Sequence, residues 1–433
     1  VQPLKWASVP PPQTHPDAAL RFPWTLTQLA VLLLPFSTLL GILGSFIAVV
    51  IIWRSRFSQF IQQPVYQGFG VLSGLLVLSS ALAYFPADAF LGLFHFLLFF
   101  LGFAGLSELV QTPNQLRRLA WLLVIPSVPV CLLGFGQMLL GWFGYRQMLK
   151  VEIGWVILQW LIDPNGTPPG RMSANFFYAN VLANYLVITF VLAAGLLLIA
   201  LRQTQKRETI FLGVTLLLNG GALILTNSRN GWAIAAGACF VFAVYLGWRW
   251  LVAAVLALIG LVLGAAFAPP PVQTPLRMVV PQFFWARLTD QMFPDRPVAT
   301  LRSTQWQFAW SLTLERPWLG WGLRNFSPLY LQETGFTLGH PHNFPLMMLC
   351  ETGVPATLLL FGLVGWMVTR GMQQLQSFSD RGDRLLLFTF IVAFLSHTVF
   401  HFFDVTFFDA RLNLMGWLLL AGIWGQVERG QEA

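Results

Sequence analysis

The residues best suited to chemistry are a pair of histidines in His340-Pro341-His342-Asn343-Phe344-Pro345, followed by Glu351-Thr352-Gly353-Val354-Pro355. Asn343 suits an N-cap and Pro345 a first helical turn, so the pattern places His342 just ahead of a helix N-terminus. The positive end of that helix disfavours imidazolium and leaves a neutral ring able to take a proton as a general base. The competing reading is a capping histidine with no chemistry. Glu351, two turns further on, is expected to pair internally, with an arginine of the preceding loop as its partner.

Three arginines could serve an anion. Arg229, in Thr226-Asn227-Ser228-Arg229-Asn230-Gly231, lies in a tight turn between apolar runs, where a guanidinium has little water and needs a negative partner or must snorkel to the interface. Arg302 heads an amphipathic segment one turn before Trp306; in isolation it reads as a solvated charge. Arg171, in Pro169-Gly170-Arg171-Met172-Ser173-Ala174-Asn175, immediately precedes an apolar run that carries Asn180 and Asn184 one turn apart. His397, His401 and Asp404 follow at spacings of four and three, which suits a metal site, a proton relay or helix–helix hydrogen bonding. No further carboxylate stands at fixed spacing, so the hydrogen-bonding role is favoured. His95 is alone in its run and reads as a packing residue.

The elements that must hold these groups are membrane helices. Of 433 residues, 56% are hydrophobic and only 10% charged, far from the quarter or so of charged residues in a soluble domain. Unbroken runs such as Val71 to Phe85 and Ala254 to Phe267 argue against an outer-membrane barrel, whose strands alternate. The expected fold is an all-α polytopic membrane protein with about twelve transmembrane helices. Residues 1–23 would be a cytoplasmic tail and 24–268 the first nine spans, interrupted by an outer loop at 142–175. A large periplasmic loop would fill 269–342, three more spans 343–427, and a second tail 428–433.

The first two spans depend on Pro35 to Ser37 forming a reversal. With that reversal, Arg54, Arg56, Arg117, Arg118, Arg202, Lys206, Arg207, Arg249, Arg370, Arg381 and Arg384 all fall at one side, which positive-inside bias makes cytoplasmic. Both chain ends then face the cytoplasm. Within the large loop, Phe283, Phe284, Trp285, Leu288, Met292 and Phe293 suit a helix lying in the interface, with Arg287 and Asp290 toward water. Arg302 to Arg316 suits a second short amphipathic helix stopped by Pro317. The net charge of +8 is dispersed, without the basic block of a nucleic-acid binder, and fits a lipid-phosphate or polyanionic partner. Cys131, Cys239 and Cys350 are odd in number and lie in apolar runs, so they read as packing residues.

In order and spacing the chain resembles the O-antigen ligase and O-antigen polymerase superfamily of bacterial envelope glycosyltransferases. The resemblance rests on Thr226-Asn227-Ser228-Arg229, then Arg302 with Trp306 and Ala309, then Pro317-Trp318-Leu319-Gly320-Trp321-Gly322 with Phe326, then His342-Asn343 and Glu351-Thr352-Gly353. It covers residues 170 to 360 by motif and the whole chain by span layout. One departure is Phe177-Tyr178-Ala179-Asn180, where family members often carry an Asn-Pro-Asn-like element.

The resemblance implies inverting transfer of a glycan from a polyprenyl diphosphate donor to the hydroxyl of a glycan or lipid-glycan acceptor, at the periplasmic face of the inner membrane. His342 would be the general base, and Arg229 and Arg302, with Arg171 third, would hold the diphosphate. Asn343, His340, Glu351 and Trp306 would complete the substrate contacts, with no metal and no cofactor. Cyanobacterial relatives have also been described as bicarbonate transporters, which supplies the rival reading. The distinctive polar residues gather at one face, whereas transporters more often place them near the midplane, and this favours the enzyme.

Overall fold

A computed structural model describes residues 14–141, 148–153, 156–163, 165–289 and 297–432. Residues 1–13 of the expected tail, and Asp290, Met292 and Phe293 of the expected interfacial helix, lie outside them. The helices are α1 (Arg21–Leu33), α2 (Thr38–Phe60), α3 (Pro64–Ala81), α4 (Pro86–Leu93), α5 (Leu97–Leu109), α6 (Pro113–Val124), α7 (Ser127–Leu139), α8 (Ala179–Arg202) and α9 (Lys206–Leu225). They continue as α10 (Arg229–Leu246), α11 (Arg249–Phe267), α12 (Pro270–Val279), α13 (Gln282–Leu288), α14 (Arg302–Glu315), α15 (Phe326–Thr334), α16 (Phe344–Gln374), α17 (Arg381–Phe400) and α18 (Ala410–Glu432).

Among the described residues ten helices, or helix pairs joined across a kink, are long and apolar enough to cross a membrane. The expected count of about twelve is met only when α1 and α18 are added. At 13 residues, α1 spans about 20 Å, less than a hydrocarbon core of about 30 Å. In α18, Arg411, Asn413, Gln426 and Glu428 dilute the apolar character. The reversal at Pro35 is real: Ser37 caps α2 by accepting from Leu40 N (3.3 Å). Gly41 then lets α2 close on α1, since a Cβ there would come within 2.5 Å of the Leu34 side chain.

Two crossings are broken. The α4–α5 crossing opens at Phe94 to Phe96, and the carbonyl of His95 is taken up by the Asn413 amide (2.9 Å). The α6–α7 crossing is interrupted at Pro126, which cannot donate to the helix ladder. A third irregularity is Gly353 in α16, at φ 79°, followed by Pro355.

The chain divides into two compact units, residues 1–235 with 308–433, and residues 236–307. In the first, α8 is the central element, packed against α9 and α17, while α18 packs on α5, α16 and α17. Thr14, Thr112, Gln115 and Arg429 line one pocket, so both described chain ends share the bundle end that carries Arg117. There Arg117 donates to Gln203, Gln205 and Glu208. In the second unit, α12 folds back on α11, with Arg277 Nε on the Ala265 carbonyl (2.9 Å) and its guanidinium 4.0 Å from the Trp285 ring centroid. Helix α12 has no buried residue and exposes Met278 and Val279, as an interfacial helix does. Its three prolines hid it from periodicity.

The expected outer loop at 142–175 contains an antiparallel hairpin, β1 (Met148–Ile153) with β2 (Val156–Leu161), and the next span begins at Ala179. This hairpin is a small addition to an otherwise all-α fold.

The segment after Pro317 is pinned to the start of α16. Trp321 N donates to the Cys350 carbonyl (2.9 Å) and Gly322 N to that of Glu351 (2.8 Å). Gly320 sits at φ 67°, and a Cβ there would lie 2.4 Å from the Glu351 carbonyl carbon. Gly320→Ala is therefore expected to destabilise the fold by about 2 kcal/mol or more, read as a lowered apparent Tm in detergent. A wild-type melt would show that this contact does not hold the loop.

Candidate active site

The site forms where the N-terminus of α16 meets the turn after α17. Asn343 is the N-cap of α16, as its residue type predicts, with Oδ1 accepting from Leu346 N (2.9 Å). The Asn343 amide donates to the Phe402 carbonyl (3.2 Å), and Phe344 N to that of His401 (2.8 Å). These contacts fix the two helix ends against each other. His342 takes a left-handed backbone (φ 51°), uncommon for a side chain of this size, and its N–H donates to His340 Nδ1 (3.2 Å).

That conformation presents His342 Nδ1 to Asp404 Oδ1 at 2.8 Å. The carboxylate is well held. Oδ1 also accepts from Val405 N (3.0 Å), and Oδ2 accepts from the Asn180 amide at short range. Asn180 Oδ1 accepts from Arg171 (2.5 Å), whose Nε reaches the Thr226 carbonyl (2.8 Å). Burial pushes the Asp404 carboxyl up, but the hydrogen bond and charge of His342, with His340 and Asn180 behind them, outweigh it and hold the group below the usual carboxylate range. An ionised carboxylate can only accept. In the neutral ring this contact puts the proton on Nδ1 and leaves the Nε2 lone pair on the other side.

Arg171 is placed by a tight turn. Gly166, at φ 72°, bridges to Arg171, and a Cβ on Gly166 would lie 1.7 Å from the Arg171 carbonyl oxygen. A cavity of about 680 Å³ opens over the site, lined by Arg171, Tyr178, Asn180, His340, His342 and Asp404 among others. Arg229 begins α10 three residues after Thr226 and is exposed, so it lies at the turn that Arg171 contacts.

Thus His340, His342, Asn343 and Arg171 come together, and the Arg229 turn adjoins them. Glu351 does not line this cavity. Its buried carboxylate accepts from Phe326 N (3.2 Å), so it anchors the loop after Pro317 to α16. Arg302 and Trp306 stand one turn apart on α14, in the second unit, Arg302 exposed and Trp306 half-buried.

Spacing along the chain groups Asp404 with His397 and His401, but α17 ends at Phe400 and the chain turns, sending Asp404 to His342. His397 instead meets Asn184 (3.1 Å), and His401 meets the Thr406 hydroxyl (3.2 Å), the hydrogen-bonding role favoured from sequence. The trio whose ligand atoms lie within 4.8 Å of one another is His340, His342 and Asp404, a spacing that also suits a divalent cation.

Fold and site define a polytopic membrane protein with a histidine–aspartate pair at one end of its bundle. Residues 214–361 match the family model described as O-Antigen ligase, the family whose motifs the sequence resembles. None of the curated proteins compared matches the chain. A chain of the solved structure described as "Structural coordination of polymerization and crosslinking by a peptidoglycan synthase complex" is 16% identical, with TM-score 0.43, over 85% of this chain and 98% of that one.

Proposed function

We propose that the protein is an inverting glycosyltransferase that moves a glycan from a polyprenyl diphosphate to an acceptor hydroxyl at the outer face of the plasma membrane. The O-antigen ligase domain supports a glycosyl-transferring membrane enzyme. The observation that carries the reaction is the 2.8 Å contact of His342 Nδ1 with a fully ligated Asp404 inside a cavity that Arg171 also lines.

Asp404 fixes the tautomer, so Nε2 takes the proton of the acceptor hydroxyl as its oxygen attacks the anomeric carbon. The bond from that carbon to the diphosphate oxygen breaks, and its electron pair leaves on the diphosphate. One displacement inverts the centre. Arg171 and Arg229 stabilise the charge that develops there. Asn180 is a positioning residue for Asp404, and Arg171 steadies it. The cation-rich end with both chain ends would be cytoplasmic, which places His342 outside.

No divalent ion is needed in this scheme, because guanidinium groups carry the phosphate charge. Transfer by the purified protein is therefore expected to survive a chelator unchanged. Loss on chelation with recovery on adding one metal would instead make His340, His342 and Asp404 a cation site. The deciding experiment incubates purified protein with a polyprenyl-diphosphate glycan and candidate acceptors, beside solute uptake in proteoliposomes. Inverted product supports the proposal; uptake without product removes it.

A further inference from the structure

A second cavity, of about 480 Å³, lies beside the first, and Gly339, His340 and Phe408 line both. Beside the apolar Pro328 and Leu331, its own lining carries polar groups of mixed charge: Asp88 from the first turn of α4, His95 from the α4–α5 break, and Arg324 and Ser327 at the start of α15. His340 stands between the two spaces, edge-on to His342 (4.6 Å between ring centroids) and stacked near Phe408 (6.2 Å).

Arg324 has its backbone pinned at the wall. It takes a left-handed backbone (φ 60°) between Gly322, whose N–H is bound to Glu351, and Asn325, which is fully buried. Asn325 brackets residue 85, accepting from Phe85 N (2.6 Å) and donating to its carbonyl (3.2 Å). The Arg324 guanidinium is exposed at the cavity and makes no hydrogen bond or close ion pair among the described residues, although its charge faces Glu351 and His95. An exposed guanidinium, a carboxylate, a hydroxyl and an imidazole around one space suit a polyhydroxylated ligand with one anionic substituent.

We propose that this second cavity is the acceptor subsite, and that Arg324 selects an acidic sugar there, bearing a carboxylate or a phosphate. This rests on the transferase reading above, in which the acceptor must approach His342 from a side distinct from the diphosphate. His340 borders both spaces and stands where the two reactants meet.

The test measures binding of three probes to the purified full-length protein by calorimetry: a hexuronic-acid disaccharide, its carboxyl-reduced neutral counterpart, and a hexose phosphate. The acidic disaccharide, the phosphate, or both should bind at least about 10-fold tighter than the neutral sugar, as a charge-assisted contact provides. The two acidic probes tell carboxylate from phosphate. Arg324→Asn, which keeps a residue tolerant of left-handed backbone, should erase the preference without lowering Tm, and His342→Ala should keep it. Equal binding of all three probes by the wild type, or a preference that survives Arg324→Asn, overturns the proposal. If His342→Ala transfers normally while the Arg324-dependent preference stands, the base assignment fails and the subsite does not.

Discussion

Replacing His342 by alanine is expected to lower glycan transfer by roughly 10²–10⁴-fold, the usual worth of a positioned general base. Donor binding should change little, because the diphosphate contacts are assigned to arginines. The fold should also survive. The side chain is 30% exposed and Asn343, not His342, caps α16. Turnover rates and donor affinity, measured on the same detergent-purified sample, check both halves. Transfer at the wild-type rate would remove the imidazole from the chemistry.

Asp404→Asn is the second large effect, and it has two separate readouts. An amide can donate toward Nδ1 and so favours the tautomer with its proton on Nε2, the wrong atom for a base. Turnover should fall by about 10²-fold or more while the KM for acceptor stays near its wild-type value. Stability should fall as well, since Asn180 and Val405 N–H both point at this carboxylate, and the loss should be about 1–3 kcal/mol.

The pH dependence of that loss has a definite sign. The folded Asp404 carboxyl lies below its unfolded value, so its contribution is fully present above the unfolded pKa near 4 and fades as pH falls below it. Wild type and variant should therefore differ in Tm at neutral pH and converge in acid. A constant gap down to pH 3 would show that the carboxylate charge does not stabilise the fold.

Some of this was decided by neighbours along the chain and is visible in the sequence. The apolar runs fix the spans, because a helix in hydrocarbon satisfies its own backbone. Asn343 and Pro345 fix where α16 begins, and so place His342 ahead of it. Arg302 and Pro317 bracket α14 and its stop. The tight turn at Thr226 to Arg229 is likewise local.

The partners of the functional groups were decided by packing alone. His342 and Asp404 are 62 residues apart, and Asn180 and Asp404 are 224 apart. No helical period encodes such distances; they arise because α8, α16 and α17 end at the same level of the bundle. Spacing along the chain joined Asp404 to His397 and His401 on the assumption that one helix ran through all three. The helix stops at Phe400, so the carboxylate turns to another element. Glu351 is the converse case: the family resemblance makes it a substrate contact, its place in the helix reads as internally paired, and burial against the Phe326 backbone makes it an anchor. Sequence determined which residues stand at the membrane rim, and the tertiary fold determined which of them touch.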